Sequence, residues 1–290
     1  MRCKIIVNPV AGRGKTESRI PQLRQLLNDN RLDYDLEMTR APGQAEEIAR
    51  RAGSEYDTVI AVGGDGTMNE VINGVMDTRT PVGFIPAGTG NDFARSLGIP
   101  LDWKKAVNVF QRGRKTPFDV GKDIDGYFGI ILGLGFPSDV MHHANTSTNM
   151  FRGSSAITVS TLKVINKLRT YNVHITTDDA DFSAAVTGVF ILNTQYCGGG
   201  LQIAPEARHN DGWLDVAVMH AAGKLDFLTT LPKAYKGTHV GKSWLQFIRT
   251  KKITVTTEEV LRKDFDGNIY GQSPIEAELL PAALDVWVPA

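Results

Sequence analysis

Hydrophobic and polar positions follow two different patterns along this chain, and the change falls near Thr116. Before it, short apolar runs are each followed by a stretch of helical period. Residues 4–7, 34–38, 58–62 and 82–85 read as strands, and residues 16–27, 43–51 and 103–110 as helices. Pro21 is awkward inside the first helix, because proline removes a donor and crowds the preceding turn. This alternation predicts a parallel sheet with helices on both faces. In such sheets ligands bind beyond the carboxyl ends of the strands.

Beyond Thr116 strand patterns dominate. Residues 118–121 and 126–135 read as strands joined by a tight turn through residues 123–125. Further strands are expected over 173–177, 185–192, 213–219, 253–257 and 275–279, with helices over 157–168 and 225–235, the latter kinked at Pro232. A last strand over 284–288 is expected to return to the first domain. The organisation expected is therefore an α/β domain of residues 1–117 and 282–290, and a β-rich domain of residues 118–281.

Composition narrows the class. With 290 residues, 42% hydrophobic and 22% charged, the chain is globular and has room for one large or two ordinary domains. The 32 Lys and Arg balance 32 Asp and Glu, so no global field draws it to nucleic acid, which is not expected as a partner. Cys3 and Cys197 offer neither metal-ligand spacing nor a disulfide framework. No apolar run is long enough for a transmembrane segment, and the start does not resemble a signal peptide. A cytoplasmic protein is expected, one that meets a membrane only peripherally, at its inner face.

The chemistry concentrates in glycine-rich turns that follow the predicted strands. Val62-Gly63-Gly64-Asp65-Gly66-Thr67-Met68-Asn69-Glu70 sets one carboxylate among glycines at a strand-to-helix junction. Glycine lets backbone N–H groups approach an anion, and the helix start adds its own N–H groups and dipole. A carboxylate among phosphates makes sense if a divalent cation bridges the two. Asn8-Pro9-Val10-Ala11-Gly12-Arg13-Gly14-Lys15-Thr16 ends like a P-loop, but Pro9 stands where the first glycine belongs, so it is not one. It still suits a phosphate-facing turn with Arg13 and Lys15 as cations, or a solvated surface loop. Pro86-Ala87-Gly88-Thr89-Gly90-Asn91-Asp92 is a third such turn. Thr89 could donate to a phosphate there, while Asn91 or Asp92 could equally cap the helix expected from Phe93. Asp65, Asp92 and Asp119 all lie beside such turns or strand ends; three carboxylates at a nucleotide imply magnesium.

Taken together, the turn after Asn8-Pro9, Gly63 to Thr67 with Asn69-Glu70, Gly88-Thr89-Gly90-Asn91-Asp92 and Asp119-Val120-Gly121 resemble the bacterial soluble diacylglycerol kinases and related lipid kinases, sphingosine kinases included. The resemblance implies an N-terminal domain like that of NAD kinase and 6-phosphofructokinase, a C-terminal β-sandwich-like domain, and an active site between them. It implies ATP contacts from Asn8, Pro9, Gly12, Arg13, Thr39, Gly63, Gly64, Asp65, Gly66, Thr67, Asn69, Gly88 and Thr89. Asp65, Asp92 and Asp119 match the family's active-site carboxylates, with Mg2+ between them and the phosphates. Asn210-Asp211-Gly212-Trp213-Leu214-Asp215 resembles its structural magnesium loop, with the Asp211 side chain and the carbonyls of Arg208 and Trp213 as ligands. A plain Asp-Gly turn into the next strand is the alternative. A lipid substrate at the membrane surface and a homodimer are implied too; no patch in the sequence marks the dimer.

One position departs from the pattern. The family's Asp-Gly-Glu, whose glutamate serves as general base, reads Asp266-Gly267-Asn268 here. An amide takes up no proton at neutral pH, and a general base contributes about 10²–10⁴-fold. Phosphoryl transfer depends less on it than acyl transfer does, because charge and positioning stabilise its loose transition state. Three explanations stay open: Asp65 or Asp266 takes the proton, the acceptor is another lipid or a polyol, or the protein binds nucleotide and lipid with little turnover. A fourth reading makes Asn268 an ordinary turn residue.

Residues 224–252 carry a basic excess, with Asp226 the one acid. It suits either docking on anionic headgroups or a solvated face. Leu225, Phe227, Leu228, Leu231 and Tyr235 are expected to cover the sheet rather than enter lipid.

Overall fold

The structure, a computed structural model, describes residues 1–146 and 154–290. The chain divides into two compact units, Met1–Asp119 with Ala282–Ala290, and Val120–Pro281.

The first unit alternates strand and helix: β1 (Arg2–Val7), α1 (Lys15–Asp29), β2 (Asp33–Met38), α2 (Gln44–Ala52), β3 (Thr58–Gly63), α3 (Asp65–Val75) and β4 (Val82–Pro86). Three short helices follow, α4 (Asp92–Ser96), α5 (Trp103–Ala106) and α6 (Val109–Arg112), and then β5 (Arg114–Asp123), which leads out of the unit. The expected helix over 103–110 is thus two short ones. α1 continues through Pro21. The strands β2, β1, β3 and β4 lie side by side, all parallel, and Val286 of the returning C-terminal strand pairs with Val82 on β4. Ile5, Ile6, Val59, Ile60, Ile85 and Phe84 are fully or almost fully buried. Such uninterrupted burial is what a sheet covered on both faces requires. It also brings the carboxyl ends of β1, β3 and β4 to one edge.

The second unit is β-rich. It contains β6 (Gly126–Phe128), β7 (Ile131–Gly135), α7 (Phe136–Thr146), α8 (Ser154–Asn166), β8 (Tyr171–Thr177), β9 (Asp181–Leu192), β10 (Tyr196–Cys197), β11 (Leu201–Gln202) and β12 (Leu214–His220). Then come α9 (Lys224–Ala234), β13 (Leu245–Thr250), β14 (Lys252–Thr257), β15 (Arg262–Phe265), β16 (Asn268–Gln272) and β17 (Ile275–Val288), whose end is the returning strand. The run expected as one strand over 126–135 is two. α7, β13, β15 and β16 have no counterpart in the expected elements.

Antiparallel β9 organises this unit. Its first half pairs with β8; its second half pairs with β7 on one side and β12 on the other. The inward residues, among them Leu132, Val189, Ile191, Val216, Val255 and Phe265, form one core. α9 covers this unit with Phe227, which packs on Phe136 and Trp244. Leu225, Leu228 and Tyr235 depart from expectation: they are 76%, 42% and 44% exposed and do not cover the sheet.

Candidate functional site

Three turns meet at the carboxyl ends of β1, β3 and β4. After β1, the Asn8 N–H donates to the Val62 carbonyl at 2.9 Å. The Asn8 side-chain amide donates to Thr67 Oγ1 at 3.0 Å, and its Oδ1 accepts the Val10 N–H at 3.1 Å. One asparagine thereby ties the first turn to the start of α3. Thr39, buried just past β2, donates its N–H to the Val7 carbonyl at 2.9 Å. After β4, the N–H groups of Ala87 and Gly88 both donate to the Gly63 carbonyl, at 2.7 and 2.8 Å.

The glycines explain how the turns come so close. A Cβ on Gly88 would lie 2.3 Å from the Gly64 Cα, and a Cβ on Gly12 would lie 2.4 Å from the Ala87 carbonyl oxygen. No side chain fits at either place, so these turns pack backbone on backbone. Packing, as well as approach to an anion, therefore requires glycine here. Between Gly12 and Gly14, Arg13 also adopts a left-handed backbone, with φ of 69°. That conformation is uncommon for a residue with a side chain and costs on the order of 1 kcal/mol. The Arg13 side chain is exposed, while Thr67 and Asn69 are buried and Thr89 is exposed.

The carboxylates have definite partners. Asp65 opens α3, and its Oδ1 accepts the Phe93 N–H at 2.9 Å. The cap of α4 thus comes from another helix. Asn91 occupies the N-cap in a left-handed conformation without a side-chain cap bond, and Asp92 is the first helical residue. Asn91 Nδ2 donates instead to the Gly88 carbonyl at 3.1 Å. Asp92 is buried, with Oδ1 3.6 Å from Arg95 Nε. Asp119 is buried as well, and its Oδ1 accepts the Ala282 N–H at 2.8 Å. Its neighbour Phe118 packs on Phe93 with ring centroids 5.3 Å apart. Among the described residues no three His, Cys, Asp or Glu side chains could together hold a metal ion, so these aspartates form no metal cage by themselves.

Glu70 has a role the sequence did not reveal. Its two oxygens accept the N–H groups of Gly43 and Ala45, both at 3.0 Å, at the start of α2. Gly43, the N-cap, has no side chain to do this. Burial pushes the Glu70 carboxyl upward, and the two N–H groups oppose the rise.

In the second unit, β15 and β16 form a hairpin in which Phe265 pairs with Asn268. The two loop residues, Asp266 and Gly267, have φ of 54° and 96°. Positive φ at both suits the tight turn that Asp-Gly favours. Asn268 is therefore the first residue of β16, outside the turn. Asp266 is an anchor: Oδ2 accepts the Gly129 N–H at 2.7 Å, and Oδ1 accepts those of Ile130 and Ile131 at 2.8 Å. Its oxygens are thus engaged by three backbone donors. Asp264 Oδ1 accepts the Gly267 N–H at 2.8 Å. Burial pushes the Asp264 carboxyl up to about 8; the Gly267 N–H lowers it and Asp266 raises it further.

The loop that resembles a magnesium site already holds a cation. Asp211 Oδ1 accepts the Trp213 N–H at 3.2 Å, and Oδ2 accepts from the Arg249 guanidinium at 2.6 Å. Arg249 Nε lies 3.5 Å from Asp215 Oδ1. Burial pushes the Asp215 carboxyl up to about 6, Arg249 pulls it back, and Asp211 and Glu206 add to the rise. Arg249 and Lys251 also lie over the Trp213 ring, 5.5 and 4.9 Å from its centroid. In this structure the Asp211 carboxylate is thus paired with the Arg249 guanidinium.

Comparison with known proteins gives these features a family. The model of the diacylglycerol kinase catalytic domain matches residues 2–122, and that of the YegS C-terminal NAD kinase beta sandwich-like domain matches residues 131–288. A diacylglycerol kinase of Bacillus subtilis (strain 168) is 30% identical over 279 residues, covering 95% of this chain and 92% of its own. One from Staphylococcus carnosus (strain TM300) is 27% identical, covering 99% of this chain and 95% of its own. A crystal structure of a diacylglycerol kinase from Bacillus anthracis str. Sterne superposes with a TM-score of 0.75 at 25% identity, covering 99% of this chain and 96% of that one. The α/β unit with its knitted turns, the β-rich unit that follows and these full-length similarities agree: the chain belongs to the diacylglycerol kinase family and is a lipid kinase.

Proposed function

We propose that the protein transfers the γ-phosphate of ATP, bound with Mg2+, to the hydroxyl of diacylglycerol, giving phosphatidic acid. The observation that carries this reading is the convergence of three glycine turns on Asp65 at one sheet edge. Backbone N–H groups at such an edge, with the N-terminus of α3 beside them, suit phosphate oxygens. The nucleotide would be held by the turn from Asn8 to Arg13, by Thr39, by the segment from Gly63 to Asn69 and by Gly88 and Thr89. Magnesium commonly binds through one or two carboxylates together with substrate phosphates and water. That habit suits separate aspartates beside phosphate-facing turns. The ion would neutralise charge developing on the transferred phosphoryl group.

Asp65, Asp92 and Asp119 supply the acidic residues of this reading, each steadied by the contacts described above. The proton of the acceptor hydroxyl has to leave. Asn268 cannot accept it, and Asp266 is occupied by three N–H groups. Of the two acids weighed for this role, Asp65 is the one we assign it to, and turnover is slower than with a glutamate at 268. Asn268 also favours a second reading, a kinase of the same design that acts on another lipid or a polyol.

The test is transfer of label from ATP, with magnesium, to diacylglycerol, a sphingoid base and a soluble polyol in parallel. Labelled phosphatidic acid is the expected product, and Asn268→Glu should raise its rate by about 10- to 100-fold. Transfer only to another acceptor supports the second reading. Nucleotide binding without transfer to any acceptor overturns both.

A further inference from the structure

Glu70 reaches from α3 to the start of α2, where its two oxygens accept the N–H groups of Gly43 and Ala45 at 3.0 Å each. α1 and α3 also begin behind glycine N-caps without a side-chain cap bond. Such helix starts suit phosphate oxygens. At α2 a carboxylate of the protein stands in that place, and it repels a second anion. The turn between β2 and α2, residues 39–43, is therefore no phosphate site. Yet it lies at the same sheet edge as the glycine turns, because β2 pairs with β1 and runs parallel to it.

This turn is tied down along its length. The Thr39 N–H donates to the Val7 carbonyl at 2.9 Å, and the Arg40 N–H donates to Gln44 Oε1 at 2.5 Å. Gly74, four residues after Glu70 and on the same face of α3, lets the two helices touch. A Cβ there would lie 2.5 Å from the Glu46 carbonyl oxygen and 2.7 Å from the Ala49 Cβ. One helix thus carries Asp65 and Thr67 in its first turn and presents Glu70 and Gly74 to α2. Ala41 and Pro42, in the middle of the β2–α2 turn, are exposed and uncharged.

We propose that Glu70 is a positioning residue: it fixes the β2–α2 turn against the nucleoside of the bound nucleotide, while the glycine turns take the phosphates. The assignment rests on the ATP reading of this edge and divides the ligand between its turns. A nucleotide with its phosphates on the turns after β1, β3 and β4 extends its nucleoside past an end of that row, and β2 borders β1 there. A nucleoside is uncharged, so the Glu70 carboxylate does not repel it.

The experiment is isothermal titration of the full chain, with magnesium, by ATP and by inorganic tripolyphosphate, which has the phosphates and no nucleoside. Wild type should bind both. Glu70→Gln keeps the length of the side chain and one acceptor oxygen, but sets an NH2 group against the second N–H. It should bind ATP about tenfold more weakly, the equivalent of one hydrogen bond, and tripolyphosphate as wild type does. Wild type alone gives a second readout: hydrogen exchange over residues 39–45 should slow with ATP and not with tripolyphosphate. Three outcomes overturn the proposal: a Glu70→Gln protein that binds ATP like wild type, one that loses both ligands equally, or exchange slowed alike by both ligands. Each of these leaves the proposed reaction standing, because wild type still binds ATP. A wild type that binds neither ligand removes the ATP reading and this assignment together.

Discussion

The carboxylate of Asp65 accepts the backbone N–H of Phe93 at 2.9 Å, so the residue that opens α3 also supports the start of α4. The same economy recurs at Asn8, which joins the first turn to Thr67, and at Asp119, which holds the Ala282 N–H. Residues that mark the family are thus part of the scaffold, whatever role the proposed reaction gives them. A variant that removes both functions at once says little, and useful substitutions keep one of them.

Arg13 separates stability from binding. Its left-handed backbone suits glycine, so Arg13→Gly should stabilise the fold by about 1 kcal/mol. The same change removes a cation from the proposed phosphate turn and should raise the KM for ATP by about tenfold. Thermal unfolding and initial-rate kinetics check the two signs. A stabilised variant with unchanged KM would remove Arg13 from the nucleotide contacts.

Asp264 makes stability depend on pH. Its carboxyl titrates near 8 when folded, against an ordinary value of 3.8. Between those values the folded state holds a proton that the unfolded state has released. Stability therefore falls as pH rises through this window and levels off above about 8. Asp264→Asn keeps an acceptor for the Gly267 N–H and cannot titrate. It should be more stable than wild type at pH 8, by about 2 kcal/mol or more, and close to wild type near pH 4. Unfolding midpoints of the two proteins across this range provide the check; parallel profiles would contradict it.

Lys263 is fully buried, with Nζ 2.6 Å from Asp123 Oδ2 and 2.8 Å from Asp125 Oδ2. Lys263→Met fills the space but leaves carboxylates without their cation. A loss of about 3–5 kcal/mol is expected, since breaking one side of a buried pair strands the other charge. Denaturant unfolding measures it, and a loss below about 1 kcal/mol would show that the aspartates find other partners or protonate.

The parallel strands could be read from sequence because burial on both faces leaves little but apolar residues, as in Val59, Ile60 and Ala61. β15 could not. It carries Lys263 and Asp264 into the interior, and their partners Asp123, Asp125 and Gly267 include residues far away in sequence. α7 was hidden by the Gly-Phe-Pro sequence at its start, which looks like a turn. On α9 the helix itself was legible, but two apolar faces look alike in sequence, and only the structure separates buried Phe227 from exposed Leu225. At the candidate site the glycine turns and carboxylates were legible as local motifs. Their cross-links, Asn8 to Thr67, Gly88 to Gly63 and Asp65 to Phe93, depend on which strands are neighbours.

The most direct measurement of the central claim is the initial rate of label transfer from ATP to diacylglycerol, with magnesium, by wild type and by Asp65→Asn. The asparagine keeps an acceptor for the Phe93 N–H, so the fold and its melting point should persist while the charge is lost. The account predicts labelled phosphatidic acid from wild type and a rate about 10²–10³-fold lower from the variant. A variant that transfers label as fast as wild type, or a wild type that transfers none to any lipid, would contradict it.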